Sequence, residues 1–484
     1  MNGAVLFPLE QPDLRIAAAG GTAVRRTVLP SGLRILTEAV PGAQSATVGF
    51  WVPVGSRDET DGVFGSTHFL EHLLFKGTPS RTALDIAVAF DSVGGEHNAV
   101  TAKEYTCYYA KIRDVHLGMA VDVLSDMVAA SLLDPDEFET ERGVILEELA
   151  SAEDDPGDVA NERFFEAVLG DHPLGRPIGG SPTTIGDATR DAVTAHYRAR
   201  YTPADLVVTA AGGVDHDVLV AQVERALSAA GWQLDVEAAP RARRPTTPAS
   251  LASSSPIVAV KRPTEQTHLL IGAPALVSTD PRRTTMSVLN AAFGGGMSSR
   301  LFQEVRERRG LAYSVYSFAA GFSDAGVFGM YAACSPKVAG SVAELLVDQL
   351  GVLARDGITP DELRRAVGQL SGSSALALED SDTRMSRLGR SELAQGEFVD
   401  LDEVVRRLDS VTLEDVRELA VELSERPLSV ASVGKVDAAA FAPVLAVPSV
   451  PLPSFAAPAQ RKSAPTRSAP EESAPVAAEP IATV

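Results

Sequence analysis

The chain mixes short runs in which apolar residues recur at every second position with longer runs in which they recur three and four apart. The first period belongs to strands with one buried face, the second to helices with an apolar stripe. Residues 25–38 (RRTVLPSGLRILTE) predict two short strands around a Pro-Ser-Gly turn. Residues 46–54 set Val48, Phe50 and Val52 against Thr47, Gly49 and Trp51, which suits a half-buried strand. A polar stretch, 55–65, leads into a helix that ends at Gly77-Thr78-Pro79-Ser80, and a second helix covers 82–93. Residues 98–111 are rich in Thr, Tyr and Val and predict a strand. A helix follows over 116–131. Asp134-Pro135 then places an N-cap and a first-turn proline ahead of a helix running to about Ser151. Residues 158–169 and 189–200 predict further helices, separated by a Gly/Pro-rich loop at 172–182, and 205–211 predicts a buried strand.

This order of elements comes twice. Residues 189–215 and 412–437 each read as a capped helix, a proline-containing turn, an apolar strand and a Gly-x-Val-Asp ending. The pattern predicts a duplicated α+β unit of roughly 200 residues. Between the copies, 238–256 loses all periodicity and fills with Pro, Ser and Ala, as a linker does. The expected organisation is a loose leader (1–24), an N-terminal domain (25–237), a linker (238–256), a C-terminal domain (257–445) and a disordered Ala/Pro/Ser-rich tail (446–484).

Composition narrows the function. Of 484 residues, 45% are hydrophobic and 22% charged, a globular balance too long for one ordinary core. The net charge of −21 disfavours nucleic acid and anionic membrane as partners and leaves cationic peptides open. No run of eighteen apolar residues predicts a membrane span, and the acidic N-terminus does not resemble a targeting segment, so a cytoplasmic protein is expected. Only two cysteines occur, Cys107 and Cys334, far apart in sequence. They argue for a reducing compartment and against a thiolate metal site. Any transition metal here must use histidine and carboxylate.

The chemistry concentrates in His68-Phe69-Leu70-Glu71-His72, in the helix after the polar stretch. Histidines four apart project from one helical face, with Glu71 nearly aligned with them. Two such imidazoles make a metal clip, and the carboxylate beside them is a ready general base. The order His-x-x-Glu-His is that of the inverted zincins. The plain alternative is an amphipathic helix that carries two histidines by coincidence. Two histidines leave a zinc ion short of one protein ligand. The helix opened by Asp134-Pro135 offers Glu137, Glu139, Glu141, Glu147 and Glu148, of which Glu141 and Glu148 share a face with Val144 and Ile145. A carboxylate on a partly buried face needs a cation or a donor.

These residues resemble the M16 (pitrilysin/insulinase) zinc metallopeptidases, in particular the short processing-peptidase-like members. The resemblance rests on GSRDETDGVFGSTHFLEHLLFKGT, ERGVILEEL and HPLGRPIGG, and on FGGGMSSRLFQEVRERRGLAYSVYS in the second half. It covers roughly residues 25–440. One small departure is Thr67, where Ala is more usual. In the family, a metal-binding Glu follows the motif by about 76 residues and a supporting Glu precedes that ligand by seven. Glu148 and Glu141 stand at those places.

The resemblance implies two homologous α+β domains, each a mixed, mainly antiparallel sheet backed by helices, closing as a clamshell. It implies one Zn²⁺ per chain held by His68, His72 and Glu148, a water activated by Glu71, and a supporting role for Glu141. Arg306 and Tyr313, seven apart, match a pair that reaches across from the second domain to the substrate carbonyl. Asn98 and Ala99 match an edge strand to which an extended peptide adds by main-chain pairing. The activity implied is hydrolysis of unfolded peptides or presequence-like segments by a homodimer or a heterodimer with a related subunit. Because the family includes inactive members, a non-catalytic partner subunit is the alternative. Such members typically lose the motif's His or Glu residues, and this chain keeps them all.

Overall fold

The computed structural model describes residues 3–251 and 256–445. Among them, fourteen strands form three sheets. The smallest pairs β1 (Val5–Leu6) with β13 (Glu397–Phe398), antiparallel. The largest runs, in spatial order, β2 (Asp13–Ala17), β3 (Ala23–Val28), β4 (Arg34–Ala39), β8 (Val207–Gly212), β5 (Ser45–Val52), β7 (Thr106–Arg113) and β6 (Glu96–Thr101). The third runs β11 (Ala312–Gly321), β12 (Gly326–Cys334), β10 (Thr267–Pro274), β14 (Ser429–Gly434) and β9 (Ile257–Lys261). Each of the two larger sheets has one parallel pair, β4 with β8 and β9 with β14, and is otherwise antiparallel. Taken outward from that pair, β4-β8-β5-β7-β6 and β9-β14-β10-β12-β11 follow the same path. The duplication is therefore one of topology, and the fold is α+β with two matching domains.

Each domain lends a helix to the other's sheet. Helix Pro156–Leu169, from the first half, lies across β10 and β14. Its Phe164 is fully buried and sits over Gly272, where a Cβ would come within 2.8 Å of the ring. Helix Ser381–Arg390, from the second half, lies across β4, β5 and β8. There Gly389 lets the backbone meet Trp51, whose ring would be 2.3 Å from any added Cβ. Trp51 Nε1 donates to Thr209 Oγ1 (2.8 Å), and Thr209 Oγ1 donates to the Met385 carbonyl (3.2 Å). Because each sheet's second face is apolar and covered by the partner domain, the two halves form one compact unit.

That exchange changes several expectations. The strand expected to be half-buried is β5, and past Ser45 every residue of it is buried, since helix Ser381–Arg390 covers the face left to solvent in the sequence reading. The single strand expected over 98–111 is a hairpin, β6 and β7, turning at 102–105. The leader is not loose. β2 extends the first sheet, β1 pairs with β13 nearly 400 residues away, and Phe7 is 1% exposed against Phe398. The Arg26 guanidinium ties the intervening chain by donating to the carbonyls of Pro8 and Gln11.

Residues 238–251 are irregular but anchored. Ala238 N–H donates to the Pro30 carbonyl and Arg241 N–H to that of Ala204, both at 2.9 Å, while the Arg244 side chain grips Asp58. The end of the expected linker, 252–255, and the expected tail, 446–484, lie outside the described residues. Among the described residues no single helix is long and apolar enough to cross a membrane.

Candidate metal centre

Helix Ser66–Leu73 buries Phe69, Leu70 and Leu73 in the first domain's core and turns His68, Glu71 and His72 to its less buried side. Its first turn is held by Glu59, a buried carboxylate that accepts from Gly65 N–H (2.8 Å) and Thr67 N–H (2.7 Å). Negative charge is favoured at a helix N-terminus, where these amides have no helical partner. Burial pushes the Glu59 carboxyl up to about 7 against the opposing pull of those two N–H groups.

The acidic helix, Pro135–Asp154, starts where Asp134 accepts from Asp136 N–H (2.8 Å) and Glu137 N–H (3.3 Å). Phe138 stacks flat on Phe69 with ring centroids 4.3 Å apart, which fixes this helix against the histidine helix. Glu141 and Ile145 are buried with Phe138, whereas Val144, read in sequence as part of the same face, is 46% exposed.

This packing gathers three donors. The ligand atoms of His68, His72 and Glu148 lie within 4.8 Å of one another. Glu148 Oε2 is 3.3 Å from His72 Nε2 and 3.7 Å from His68 Nε2. Donors about 2.0–2.1 Å from a tetrahedral ion stand roughly 3.3 Å apart, so the spacing fits a shared zinc ion. Glu141 Oε2 lies 2.9 Å from His72 Nδ1, and its Oε1 lies 2.5 Å from Lys76 Nζ. With Nδ1–H on Glu141, the Nε2 lone pair of His72 faces Glu148. His68 is held below the usual histidine range by burial and by neighbouring His72, which keeps it the neutral donor that metal binding needs. Its Nδ1 is buried without a hydrogen-bond partner, so the ring depends on packing for its orientation. Glu148 is more than half exposed, leaving one side of the cluster open to solvent.

The other expected residues fall into three places. Glu71 accepts a short hydrogen bond from Thr101 Oγ1, at the end of β6. Asn98 and Ala99 lie on that same strand, the free edge of the large sheet, and Ala99 N–H donates to Asn98 Oδ1 (2.9 Å). Arg306 sits in a π-helical turn, Phe302–Glu307, rather than in a regular helix, and donates to the Tyr313 carbonyl (3.0 Å). Its guanidinium lies 4.3 Å from the Tyr313 ring centroid. Tyr313 occupies a bulge at the start of β11, the matching edge of the second sheet, and is 74% exposed. The structure thus brings Arg306 and Tyr313 to each other, and among the described residues neither makes a hydrogen bond or ion pair with the His/Glu cluster.

Sequence reasoning missed Thr101, Lys76 and Glu59. Lys76 stands four residues after His72, a helical spacing that pointed to the same face. Glu59 was legible only as one acid among several in a polar stretch, and Thr101 only as a strand residue.

The family model described as "Insulinase (Peptidase family M16)" matches residues 34–181, the half that holds these donors. The model described as "Peptidase M16 inactive domain" matches 187–370. That description falls on a stretch in which only His196, His216 and His268 occur and no His-x-x-Glu-His is present. A protein of Streptomyces coelicolor named an uncharacterized zinc protease is 51% identical over 414 residues, covering 85% of this chain and 89% of its own. Similarly named proteins of Mycobacterium tuberculosis (48% identity; 86% and 94% coverage) and Bacillus subtilis (39%; 83% and 95%) align as extensively. The chain belongs to the M16 peptidase family. Two solved structures share its fold at a TM-score of 0.77. A peptidase M16 inactive domain from Pseudomonas fluorescens has 20% identity and covers 86% of this chain and 99% of its own. A protease from Helicobacter pylori has 22% identity, with 85% and 99% covered.

Proposed function

We propose that this chain is a zinc-dependent metalloendopeptidase that cleaves unfolded peptides or presequence-like segments. The observation that carries the reading is the convergence of His68, His72 and Glu148 on one point, with Glu71 on the same helix. His68, His72 and Glu148 would hold one zinc ion. Bound there, zinc would polarise the scissile carbonyl and lower the pKa of water towards ~7.

The chain's own residues then divide the remaining work. Glu71, held by Thr101, takes the proton from the attacking water and delivers it to the nitrogen of the leaving amine. Glu141 keeps the His72 ring in its donor orientation. An extended substrate would pair along the edge of β6 at Asn98 and Ala99. Arg306 and Tyr313 would donate to the oxyanion as the transition state forms. The same reading includes a dimer, homomeric or with a related subunit, enclosing a chamber for unfolded peptides. It places the enzyme in the cytoplasm, in keeping with Cys107 and Cys334 being free and buried.

A non-catalytic partner subunit is supported by the description attached to residues 187–370 and to the Pseudomonas fluorescens structure. The intact donor set favours the enzyme. Zinc content and hydrolysis of a quenched-peptide panel separate the two. The enzyme reading expects one zinc per chain and cleavage, with Glu148→Gln lowering the zinc content. A zinc-free chain, or a zinc-loaded one inert on every peptide, would favour the partner subunit.

A further inference from the structure

Where the two halves and the linker meet, the fold encloses a cavity of about 310 Å³. Its walls come from the β6–β7 turn, linker residues 241–244, the β11–β12 turn and residues 390–395. Pro53, Tyr105, Phe322 and Leu393 give it an apolar lining. Cations outnumber acids in its lining, where Glu104 lies beside Arg244 (3.9 Å).

The buried carboxylate of Glu392 is shared by three guanidinium groups, Arg26 (3.2 Å), Arg34 (3.3 Å) and Arg243 (3.2 Å). The last two line the cavity. Arg26 and Arg34 are each 1% exposed, and their Nε atoms are buried without a hydrogen-bond partner. Arg390, also in the lining, is exposed, and its side chain makes no hydrogen bond or ion pair among the described residues. Lys103 also lines the cavity, its ammonium donating to the Arg176 carbonyl (2.7 Å) and lying over the face of Phe165. Burial pushes Lys103 down to about 8 and lowers Arg34 and Arg243 as well. Three guanidinium groups on the one carboxylate of Glu392 leave net positive charge beside the cavity, and charge of one sign held out of water calls for an anion.

We propose that this interdomain cavity binds a small organic anion with an apolar body, of the aryl or alkyl carboxylate class. The cations would take the carboxylate, and Tyr105, Phe322 and Leu393 the apolar part. A bare inorganic anion would leave the apolar wall unfilled, and a neutral aromatic would leave the positive charge around Glu392 uncompensated.

Calorimetric titration of the full chain with naphthoate, with the neutral naphthalenemethanol and with inorganic phosphate tests this. Naphthoate should bind saturably. The alcohol should bind at least about tenfold more weakly for loss of the charge-assisted contact, and phosphate should not bind in the same range. Arg390→Ala should weaken naphthoate by about tenfold or more, and Ala394→Trp, which fills the cavity, should abolish binding. No saturable binding of naphthoate, equal binding of the alcohol or of phosphate, or indifference to either variant would overturn the proposal.

Discussion

Thr101→Val is the sharpest perturbation of the proposed base. Thr101 is a buried residue on β6, and Val keeps its shape and its preference for a strand. What is lost is the hydroxyl that donates to Glu71 Oε2. A hydrogen bond to a charged group contributes about 1.5–3 kcal/mol. If that bond orients Glu71 in the transition state, the loss converts to a fall of about ten- to hundredfold in kcat at about 1.4 kcal/mol per decade. Steady-state cleavage of a quenched peptide, with zinc measured on the same samples, reads it out. The expected result is a lower kcat, a nearly unchanged KM, full zinc content, and recovery in Thr101→Ser. A kcat within twofold of the parent, with zinc retained, would refute the positioning role. Loss of zinc would show that Thr101 acts on the fold of the site and not on its base.

Three further expectations follow from the geometry. Arg306→Ala should lower turnover by about a hundredfold or more if its guanidinium serves the oxyanion, with zinc unchanged, and parent-like kcat would remove it from the site. Phe164→Ala empties the contact between helix Pro156–Leu169 and the second sheet and should cost about 3–5 kcal/mol in urea denaturation, whereas a cost under about 1 would show that the exchanged helix is not what joins the halves. Burial pushes His196 and His216 down to about 4, so between pH 4 and 6.5 the unfolded chain binds more protons than the folded one. Stability present above 6.5 should therefore be lost as pH falls, by up to about 1.4 kcal/mol per pH unit for each histidine, and His216→Gln should flatten that slope.

The parts of the fold legible in sequence are those with local causes. Asp134-Pro135 marked the start of the acidic helix because capping and a first-turn proline act within one turn. The repeated Gly-x-Val-Asp endings marked β8 and β14, which close the parallel pair of each sheet. What escaped was non-local. β1 is two residues long and finds its partner at Glu397–Phe398, so neither period nor propensity announced it. The face of β5 covered by helix Ser381–Arg390 looked polar because Thr47, Gly49 and Trp51 are satisfied or matched by residues more than 150 positions away. The β6–β7 turn carries Ala102-Lys103-Glu104-Tyr105, with none of the Gly, Pro or Asn residues that usually mark a turn. At the site, His-x-x-Glu-His was legible because four-residue spacing is helical geometry. Glu148 could be singled out from the five glutamates over 137–148 only through the family resemblance, and Thr101 and Glu59 depended on which strand and loop fold back onto the histidine helix.

In the proposed mechanism a metal-holding trio and a separate base share this site. Glu71→Gln tests it most directly, because Glu71 is not among the gathered donors. Purified in parallel with the parent and assayed for zinc and for cleavage of a quenched-peptide panel, the variant should keep one zinc per chain and lose peptide hydrolysis. Near-parental cleavage by the variant, or loss of its zinc, would contradict the claim.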